Sequence, residues 1–177
     1  MNKSYKIFGY GSLINQASLK KTVPEARNVV PAKTYGLQRT FNLASHYRFD
    51  SDHKSPICVL NIAEASPETA LNGVCFDMDE VSLDNLLERE KGYDFCQIKV
   101  HHYNDDKQFF DAYYFRAHLF NQYKYLSNSH VQQHYLDICL QGSQAYGDDF
   151  ISDFKNSTSF WGIDSKTKLD AIWSGNY

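Results

Sequence analysis

YKIFGYGSLI, residues 5–14, reads as an apolar strand that ends in two glycines and a serine. Because glycine has no Cβ, Gly9 and Gly11 permit a positive φ or a close approach of a ligand to the backbone. Ser12 belongs to the residue types that cap helices well, and a polar, helix-like run begins at Asn15. The stretch therefore predicts a strand that passes into a helix and presents backbone N–H groups where the two meet.

Around this stretch, short β-like runs dominate the first two thirds of the 177-residue chain. They are residues 5–10, 33–44, 57–63, 73–78, 95–103 and 108–117, and the turn at residues 104–107 predicts a hairpin for the last two. Helical patterns lie at residues 15–21, 82–91, 129–141 and 148–156. This order predicts an α+β fold with a single domain over residues 1–177, in which a mixed, antiparallel-rich sheet curls into a small barrel with flanking helices.

Composition and charge exclude several classes of function. A net charge of −3 and a pI near 6.1 leave no basic surface for nucleic acid, and 42% hydrophobic residues suit one substantial core. No apolar run approaches the ~20 residues of a membrane helix, and the N-terminus lacks a signal-peptide core. We therefore expect a cytoplasmic protein without nucleic-acid or membrane partners. The cysteines lack CxxC spacing and are expected to be buried free thiols: Cys58, Cys75, Cys96 and Cys139.

The segment VSLDNLLEREKGYDF, residues 81–95, places one carboxylate on an apolar helix face. Ser82 is expected to cap this helix and Gly92 to end it. An i, i+3, i+4 stripe between them consists of Leu83, Leu86 and Leu87. Seven residues after the first leucine, in the last turn, the stripe reaches Glu90. Partial burial and the negative end of the helix dipole both raise the pKa of a carboxyl group there, as a general base near neutral pH requires.

A structural role for Glu90 is the alternative interpretation. Its side chain would then point to solvent, or form an ion pair with Arg116 or Lys99. Helical spacing alone does not separate this role from the catalytic one.

Four motifs in order along the chain resemble those of the gamma-glutamylcyclotransferase superfamily. They are FGYGSLI at the end of a strand, EREKGY at the end of a helix, DAYYF on a strand and YLDICLQG on a helix. The resemblance covers residues 7–142, and the paired loop and glutamate are specific together, whereas either alone is weak. It implies a small mixed α/β protein with a barrel-like sheet that releases 5-oxoproline from γ-glutamyl compounds.

The resemblance also implies roles for individual residues. The substrate-binding loop would consist of Ile7, Phe8, Gly9, Tyr10, Gly11, Ser12 and Leu13. Glu90 would be the acid/base. Tyr114 resembles the strand tyrosine that faces the pocket in this superfamily, with Tyr113 as the alternative, and Tyr135 resembles the helix tyrosine that contacts substrate.

Two departures bear on the substrate. Leu13 and the REKGY segment resemble the glutathione-acting ChaC-like branch, since the branch that acts on free γ-glutamyl amino acids usually carries Asn at the position of Leu13. The Arg-Gly-Pro-Glu-like loop expected of the ChaC-like branch is missing around residues 50–56. The resemblance therefore specifies the class of reaction more closely than the substrate.

The chemistry fits the residues without help from the resemblance. A γ-glutamyl group carries its own nucleophile, because its α-amine can attack the γ-carbonyl and close a lactam. The protein then needs no nucleophile, cofactor or metal, and Glu90 can carry both proton transfers in turn. N–H donors at residues 9–13 suit either the substrate α-carboxylate or the oxyanion. His130 and His134 have the spacing of a zinc helix but lack the glutamate of HExxH, so no metal site is expected.

These patterns together predict a gamma-glutamylcyclotransferase that converts glutathione or a γ-glutamyl amino acid to 5-oxoproline and a free amine. A small γ-glutamyl molecule is the expected partner. The alternatives are a γ-glutamylamine cyclotransferase and a non-catalytic module that binds a small carboxylate or a protein. Glu90 favours an enzyme, because a binding site for an anion gains nothing from a second negative charge.

Overall fold

Eight strands and five α-helices make up residues 3–175, the part of the chain that the computed structural model describes, apart from the side chain of Arg89. The strands are β1 Ser4–Gly9, β2 Arg27–Tyr35, β3 Leu37–Phe49, β4 Pro56–Glu64, β5 Ala70–Asp79, β6 Asp94–His102, β7 Asp105–Arg116 and β8 Thr158–Phe160. The α-helices are α1 Gln16–Thr22, α2 Glu80–Arg89, α3 His130–Gln144, α4 Asp148–Asn156 and α5 Lys166–Ser174. A 3-10 turn, Ser12–Ile14, links β1 to α1. Within residues 3–175, no helix is both long and apolar enough to cross a bilayer.

Five strands close into a barrel in the order β1-β5-β2-β6-β7. Neighbouring strands pair antiparallel, except that β1 and β7 meet in parallel, with Ile7 opposite Tyr113. β6 and β7 form the expected hairpin, with Asp94 opposite Arg116. The predicted α+β fold with a small, antiparallel-rich barrel and flanking helices is therefore confirmed.

A second sheet of three strands, in the order β4-β3-β8, accompanies the barrel. The sequence interpretation of residues 33–44 as one strand is wrong, because Gly36, with φ +79°, turns the chain between β2 and β3. β2 stays in the barrel, whereas β3 pairs with β4 and, in parallel, with β8. The register of β3 against β4 shifts between Ala44 and Phe49, which marks a bulge in β3.

The four expected helices all form, with ends within three residues of the predicted ones. Their caps differ from the predictions. The Asp79 carboxylate accepts the Ser82 N–H at 2.8 Å, so Asp79 rather than Ser82 caps α2. The sequence pattern did not predict β8 or α5, whose Trp173 packs edge-on against Phe160 at 5.2 Å between ring centres.

Two apolar clusters form the core, and β1 contributes to both. Side chains alternate along this strand, so Ile7 belongs to the larger cluster and Phe8 to the smaller one. All five barrel strands contribute to the smaller cluster, which therefore fills the barrel. The larger cluster joins the barrel to α3, α4 and the second sheet. The glycine loop at the end of β1 is thus attached to both halves of the core.

Candidate active site

A cavity of ≈ 160 Å³ lies at the end of β1. Its lining includes nine of the predicted site residues, namely Ile7, Phe8, Gly9, Tyr10, Gly11, Ser12, Leu13, Glu90 and Tyr135. These residues come from β1, the loop after it, the end of α2 and the middle of α3. The structure therefore brings the loop, the glutamate and one tyrosine together around a single space, and their roles toward a substrate stay predictions.

The loop folds into a 3-10 turn, and the N–H groups at the start of this turn have no carbonyl partner within it. The Ile14 N–H donates to the Gly11 carbonyl at 3.0 Å, and the Asn15 N–H donates to the Ser12 carbonyl at 3.1 Å. Within residues 3–175 there is no acceptor for the N–H groups of Gly11, Ser12 and Leu13. Three consecutive donors at the N-terminal end of a helical turn are suited to bind an anion.

Ser12 does not cap the helix that follows, and this expectation is corrected. The Asn15 side chain accepts the N–H groups of Ala17 at 3.0 Å and Ser18 at 3.1 Å, which makes Asn15 the cap of α1. The 3-10 turn inserts three residues between the glycines and the helix, so the cap falls later than the sequence suggests. The Ser12 residue faces the cavity instead.

Close packing requires a glycine at position 9, whereas position 11 has room for little more than a methyl group. Gly11 has φ −125°, outside the left-handed region, so positive φ is not the reason for a glycine there. A Cβ on Gly11 would lie 3.4 Å from the Tyr135 Oη, and a Cβ on Gly9 would lie 2.9 Å from the Cβ of Leu13. Gly9 therefore lets the loop fold back on itself, and Gly11 lets it rest against Tyr135.

Arg39, on β3, anchors the loop from behind and was not predicted from the sequence. Its side chain is fully buried. The Nε donates to the Tyr10 carbonyl at 2.9 Å, Nη1 donates to the Phe154 carbonyl at 2.9 Å, and Nη2 donates to the Asn72 carbonyl. The guanidinium also lies 4.0 Å from the centre of the Phe154 ring. One side chain thus ties the loop to β5 and to the end of α4.

Burial lowers the pKa of Arg39 to about 9. Its hydrogen-bond partners are carbonyl, amide and hydroxyl oxygens, including Asn72 Oδ1 at 3.0 Å and Ser157 Oγ at 2.9 Å. A buried cation that is satisfied by neutral acceptors on several elements fixes the positions of those elements relative to one another.

Glu90 follows the last residue of α2 and continues part of the predicted stripe. Leu83 and Leu86 are 4% and 6% exposed, but Leu87 is 36% exposed, so its predicted place on the buried face is wrong. The Glu90 N–H donates to the Leu86 carbonyl at 2.9 Å, and the chain then turns through Gly92 with φ +96°. The Glu90 side chain is half-buried at the cavity wall.

The two basic residues considered as structural partners of Glu90 have other contacts. Arg116 pairs with Glu64 at 3.5 Å. Lys99 lies over the ring of Phe109, 4.7 Å from its centre. The raised pKa of the Glu90 carboxyl group stays a prediction.

Two phenols lie near Glu90. Burial, followed by the nearby Tyr93 and Glu90, raises the pKa of Tyr10 well above its ordinary value. The Tyr10 hydroxyl donates to the Phe115 carbonyl at 2.6 Å. Burial, followed by the Glu90 charge, raises the pKa of Tyr93 to about 12. Both phenols are therefore neutral at physiological pH, and Glu90 is the one carboxylic acid among the described residues that line the cavity.

The two predicted tyrosines have different surroundings. Tyr135 is 6% exposed and lines the cavity, and burial raises its pKa well above the ordinary value. Tyr114 instead points into the barrel cluster beside Ala112, because side chains alternate along β7 and the cavity-lining residue is Phe115. The expectation that Tyr114 faces the pocket is therefore corrected. The alternative, Tyr113, stacks on a neighbouring ring of β6, with ring centres 4.6 Å apart.

Sequence reasoning missed a second wall of the cavity. It consists of Ser45, His46, Tyr47 and Arg48 at the bulge of β3. No glycine or proline marks this bulge in the sequence, so the alternation of a regular strand gives no warning of it. Tyr93 also lines the cavity. Its position directly after the Gly92 turn is the one feature of the sequence that could have indicated this.

Within residues 3–175, no cluster of three His, Cys, Asp or Glu side chains could hold a metal ion. Burial raises the pKa of Cys58, Cys75 and Cys139 to about 12, and these three are buried free thiols as expected. Cys96 is partly exposed, contrary to the expectation.

The closed barrel with its second sheet and flanking helices has the fold of a solved structure named gamma-glutamyl cyclotransferase. The sequence model of the family described as ChaC-like protein matches residues 5–148. The chain therefore belongs to the ChaC-like family. Comparison with curated proteins gives no match.

Solved structures share the fold at low sequence identity. A protein named gamma-glutamyl cyclotransferase superposes with a TM-score of 0.69 at 17% identity, over 98% of this chain and 100% of its own. The human protein loc79017, described as uncharacterized, gives a TM-score of 0.68 at 18% identity over 96% and 98%. A yeast gamma-glutamyl cyclotransferase described as specific to glutathione gives 0.64 at 14% identity over 99% and 100%.

Proposed function

We propose that the chain is a gamma-glutamylcyclotransferase that converts a γ-glutamyl compound, glutathione or a γ-glutamyl amino acid, into 5-oxoproline and a free amine. The observation that carries the proposal is that Glu90 lines the same cavity as the acceptor-free N–H groups of Gly11, Ser12 and Leu13, in the described part of the chain. A base beside N–H donors is what cyclisation by the substrate's own amine requires. Membership of the ChaC-like family supports the same reaction.

Glu90 is the acid/base of this proposal. It takes one proton from the substrate α-ammonium, which frees that nitrogen to bond to the γ-carbonyl carbon, and it gives this proton to the leaving nitrogen. As the amide bond breaks, it carries a second proton from the ring nitrogen to the released amine. Of the three ammonium hydrogens, one stays on the lactam nitrogen and two finish on the released amine. Substrate and products contain the same atoms, so no water is consumed.

The loop supplies the complementary positive potential. Its N–H groups would donate hydrogen bonds either to the substrate α-carboxylate or to the oxyanion that forms at the γ-carbonyl. Because Arg39 holds the Tyr10 carbonyl at 2.9 Å, these donors are fixed before substrate arrives. Donors that need no rearrangement during the reaction stabilise a developing charge most effectively.

The yeast structural neighbour and the resemblance of Leu13 and REKGY to the ChaC-like branch support glutathione as one substrate. We further propose that the reaction takes place in the cytoplasm. It needs no metal or cofactor in this proposal, because one carboxylate carries both proton transfers. Turnover should then be unchanged by EDTA. Inhibition by EDTA that zinc reverses would contradict the metal-free route.

The reaction class can be tested with the purified chain and a set of γ-glutamyl substrates. Glutathione, a γ-glutamyl amino acid and a γ-glutamylamine are incubated separately, and 5-oxoproline and glutamate are measured by chromatography. The matched control is the same peptide acetylated on its α-amine, which has lost the internal nucleophile. We expect 5-oxoproline from a free peptide and no cleavage of the acetylated one.

Two outcomes would contradict the proposal. Release of glutamate from the free peptide and of N-acetylglutamate from the acetylated one would indicate a hydrolase that uses water. Survival of every compound, with one of them raising the melting temperature, would indicate a non-catalytic binding module.

A further inference from the structure

Two buried glycines lie inside regular elements, where glycine is unfavourable. Gly142 lies within α3, where alanine would be the better helix former. Gly73 lies within β5, where it leaves the strand without a side chain to pack. Neither has a positive φ, so the backbone conformation does not require glycine at these positions. A glycine inside an element then indicates that another part of the backbone approaches closely.

Gly142 lets α3 lie directly against Asn15, the residue at which the loop of residues 9–13 and its 3-10 turn pass into α1. A Cβ on Gly142 would lie 2.5 Å from the N and 2.6 Å from the Cα of Asn15. Because atoms in contact lie about 3.5 Å apart, a methyl group there would push the helix and the loop apart by about 1 Å. The obstacle is backbone, so no change of rotamer makes room.

The same face of α3 follows the loop over two turns. One turn before Gly142, the Ile138 carbonyl accepts a hydrogen bond from the Asn15 Nδ2 at 3.2 Å. Further back along this face, the Tyr135 Oη lies 3.4 Å from the position of a Cβ on Gly11. Residues 135, 138 and 142 have the i, i+3, i+7 spacing of one helix face. The helix α3 therefore contacts the loop from Gly11 to Asn15.

Gly73 fixes the start of the loop from the barrel side. Gly9 lies opposite Val74 in the pairing of β1 with β5. A Cβ on Gly73 would meet the Gly9 carbonyl oxygen and would lie 2.8 Å from two carbons of the Phe8 ring. That ring is 2% exposed and belongs to the cluster that fills the barrel, so it has little space in which to move. The loop is therefore held at its start by β5 and at its end by α3.

The N–H donors of the loop lie between these two contacts. Residues 11–13, whose N–H groups have no acceptor in the described part of the chain, follow Gly9 and precede Asn15. A shift at either end moves them relative to Glu90, which lies at the end of α2 on another wall of the cavity. A displacement of ~1 Å at a reacting site can lower a rate by about 100-fold.

We infer that Gly73 and Gly142 are positioning residues, which set the place of the loop's N–H donors relative to Glu90. Neither glycine lines the cavity, so both act through the loop and not by contact with substrate. This inference rests on the proposed function, because it concerns the donors that bind substrate in that proposal.

The test compares Gly142→Ala with the wild type in thermal unfolding and in 5-oxoproline release from the γ-glutamyl compound that the wild type turns over fastest. The added methyl displaces the loop, so we expect kcat/KM to fall by about 10- to 100-fold at a temperature where both proteins are folded. The melting temperature should also fall, although alanine stabilises a helix that has room for it. Gly73→Ala should lower kcat/KM in the same way, from the opposite end of the loop.

Ile172→Val is the matched control, because it shortens a buried side chain of α5 that does not line the cavity. Its melting temperature should fall while kcat and KM remain those of the wild type. Full activity of a folded Gly142→Ala protein would overturn the inference for Gly142, whatever its melting temperature, and the same holds for Gly73→Ala. An equal loss of kcat/KM in Ile172→Val would also overturn the inference, because the loss would then follow stability alone.

Asn15→Ser provides the test if neither glycine variant folds. Serine still caps α1, but it cannot supply the Nδ2 donor to the Ile138 carbonyl, so the loop is released from α3. We then expect kcat/KM to fall by about 2- to 10-fold, the range of one lost hydrogen bond. An unchanged kcat/KM in this variant would refute the positioning role of α3.

The proposed function fails if the wild-type protein releases no 5-oxoproline, and the calorimetric dissociation constant of intact glutathione then replaces kcat/KM. Binding to Gly142→Ala that is weaker by about 10-fold or more, with unchanged binding to Ile172→Val, would still support the positioning role. Equal binding to the three proteins, or no binding to the wild type, would refute it.

Discussion

The loop of residues 9–13 and the turn that carries Glu90 face the same cavity, but they are held in opposite ways. The loop is fastened to the core through Arg39, a fully buried side chain that donates to carbonyls on three separate segments. The Glu90 N–H makes one backbone hydrogen bond, to Leu86, and its side chain is half-buried. Donors that act by staying fixed are anchored in the core, whereas the group proposed to carry protons lies at a helix end with access to water.

This difference separates the expected effects of mutation. Changes at Glu90 should affect turnover more than folding, because its side chain is half-buried at the cavity wall. Changes behind the loop should affect folding first, because the hydrogen bonds of Arg39 belong to the core. The following variants test that separation.

Glu90→Gln should have the largest effect. The amide keeps the shape and removes the proton carrier, so we expect kcat to fall by about 10²- to 10⁴-fold, the range for a lost general acid/base. The free energy of unfolding at neutral pH should be equal or higher, since a partly buried charge at a helix C-terminus is removed. Release of 5-oxoproline and denaturant unfolding are measured on the same preparation.

Glu88→Gln is the matched control for this variant. Glu88 lies on the same helix, is exposed, and pairs with Lys91 at 2.7 Å. Both its turnover and its stability should match the wild type. A Glu90→Gln protein that is less stable but fully active would show that Glu90 is a structural residue.

Arg39→Met should have the second-largest effect, and on stability. It removes the guanidinium hydrogen bonds to the carbonyls of Tyr10, Phe154 and Asn72, so we expect a loss on the order of 3 kcal/mol or more from the free energy of unfolding. The free energy of unfolding of Arg39→Lys should lie between those of the wild type and Arg39→Met, because lysine keeps the charge but has fewer N–H donors. Arg27→Met, at an exposed position on β2, is the control. An Arg39→Met protein as stable as Arg27→Met would mean that the loop is held by other contacts.

A related contrast, between local patterns and contacts distant in the chain, explains which site residues could be predicted from the sequence. Glu90 could be found because helical spacing is local: a residue seven positions after Leu83 lies on its face whatever the rest of the chain does. Leu87 was misplaced because the width of the buried face depends on what packs against the helix. Arg39 and Arg48 could not be found, since their places at the site depend on contacts with segments far away in the chain and on a bulge without a local signature.

The glycine loop shows both sides of this limit. The motif predicted a turn with exposed N–H groups, and the structure has three of them without acceptors among residues 3–175. The sequence allows two reasons for a glycine at position 11, a positive φ or the close approach of another group to the backbone. The structure excludes the first, because φ is −125°, and it places the Tyr135 hydroxyl 3.4 Å from the position of a Cβ. Only the three-dimensional position of Tyr135 reveals this. Tyr114 was misplaced because a one-residue shift along a strand moves a side chain to the opposite face.

Gly11→Val should have a moderate effect on binding. Its branched side chain would extend past Tyr135 Oη, which lies 3.4 Å from the position of a Cβ, and would fill part of the cavity. We expect at least a ~10-fold loss of substrate affinity with the melting temperature monitored in parallel. Gly11→Ala is the matched variant, because a single methyl makes only ordinary contacts there and should bind nearly as well as the wild type. A folded Gly11→Val protein with normal affinity would contradict the position of the substrate against this loop.

The smallest expected effect is the difference in stability between the Ser12→Ala and Asn15→Ala variants of the loop. Asn15 caps α1 through its side-chain oxygen, and its Nδ2 also donates to the Ile138 carbonyl at 3.2 Å, so Asn15→Ala should lower the free energy of unfolding by ~1 kcal/mol or slightly more. Ser12→Ala should change it by less than ~0.5 kcal/mol, because the Ser12 side chain faces the cavity and does not cap the helix. Any effect of Ser12→Ala should therefore appear in KM or kcat rather than in unfolding. If Ser12→Ala destabilises the protein as much as Asn15→Ala does, the hydroxyl contributes to folding, and the division between fixed core contacts and cavity-facing groups fails at this residue.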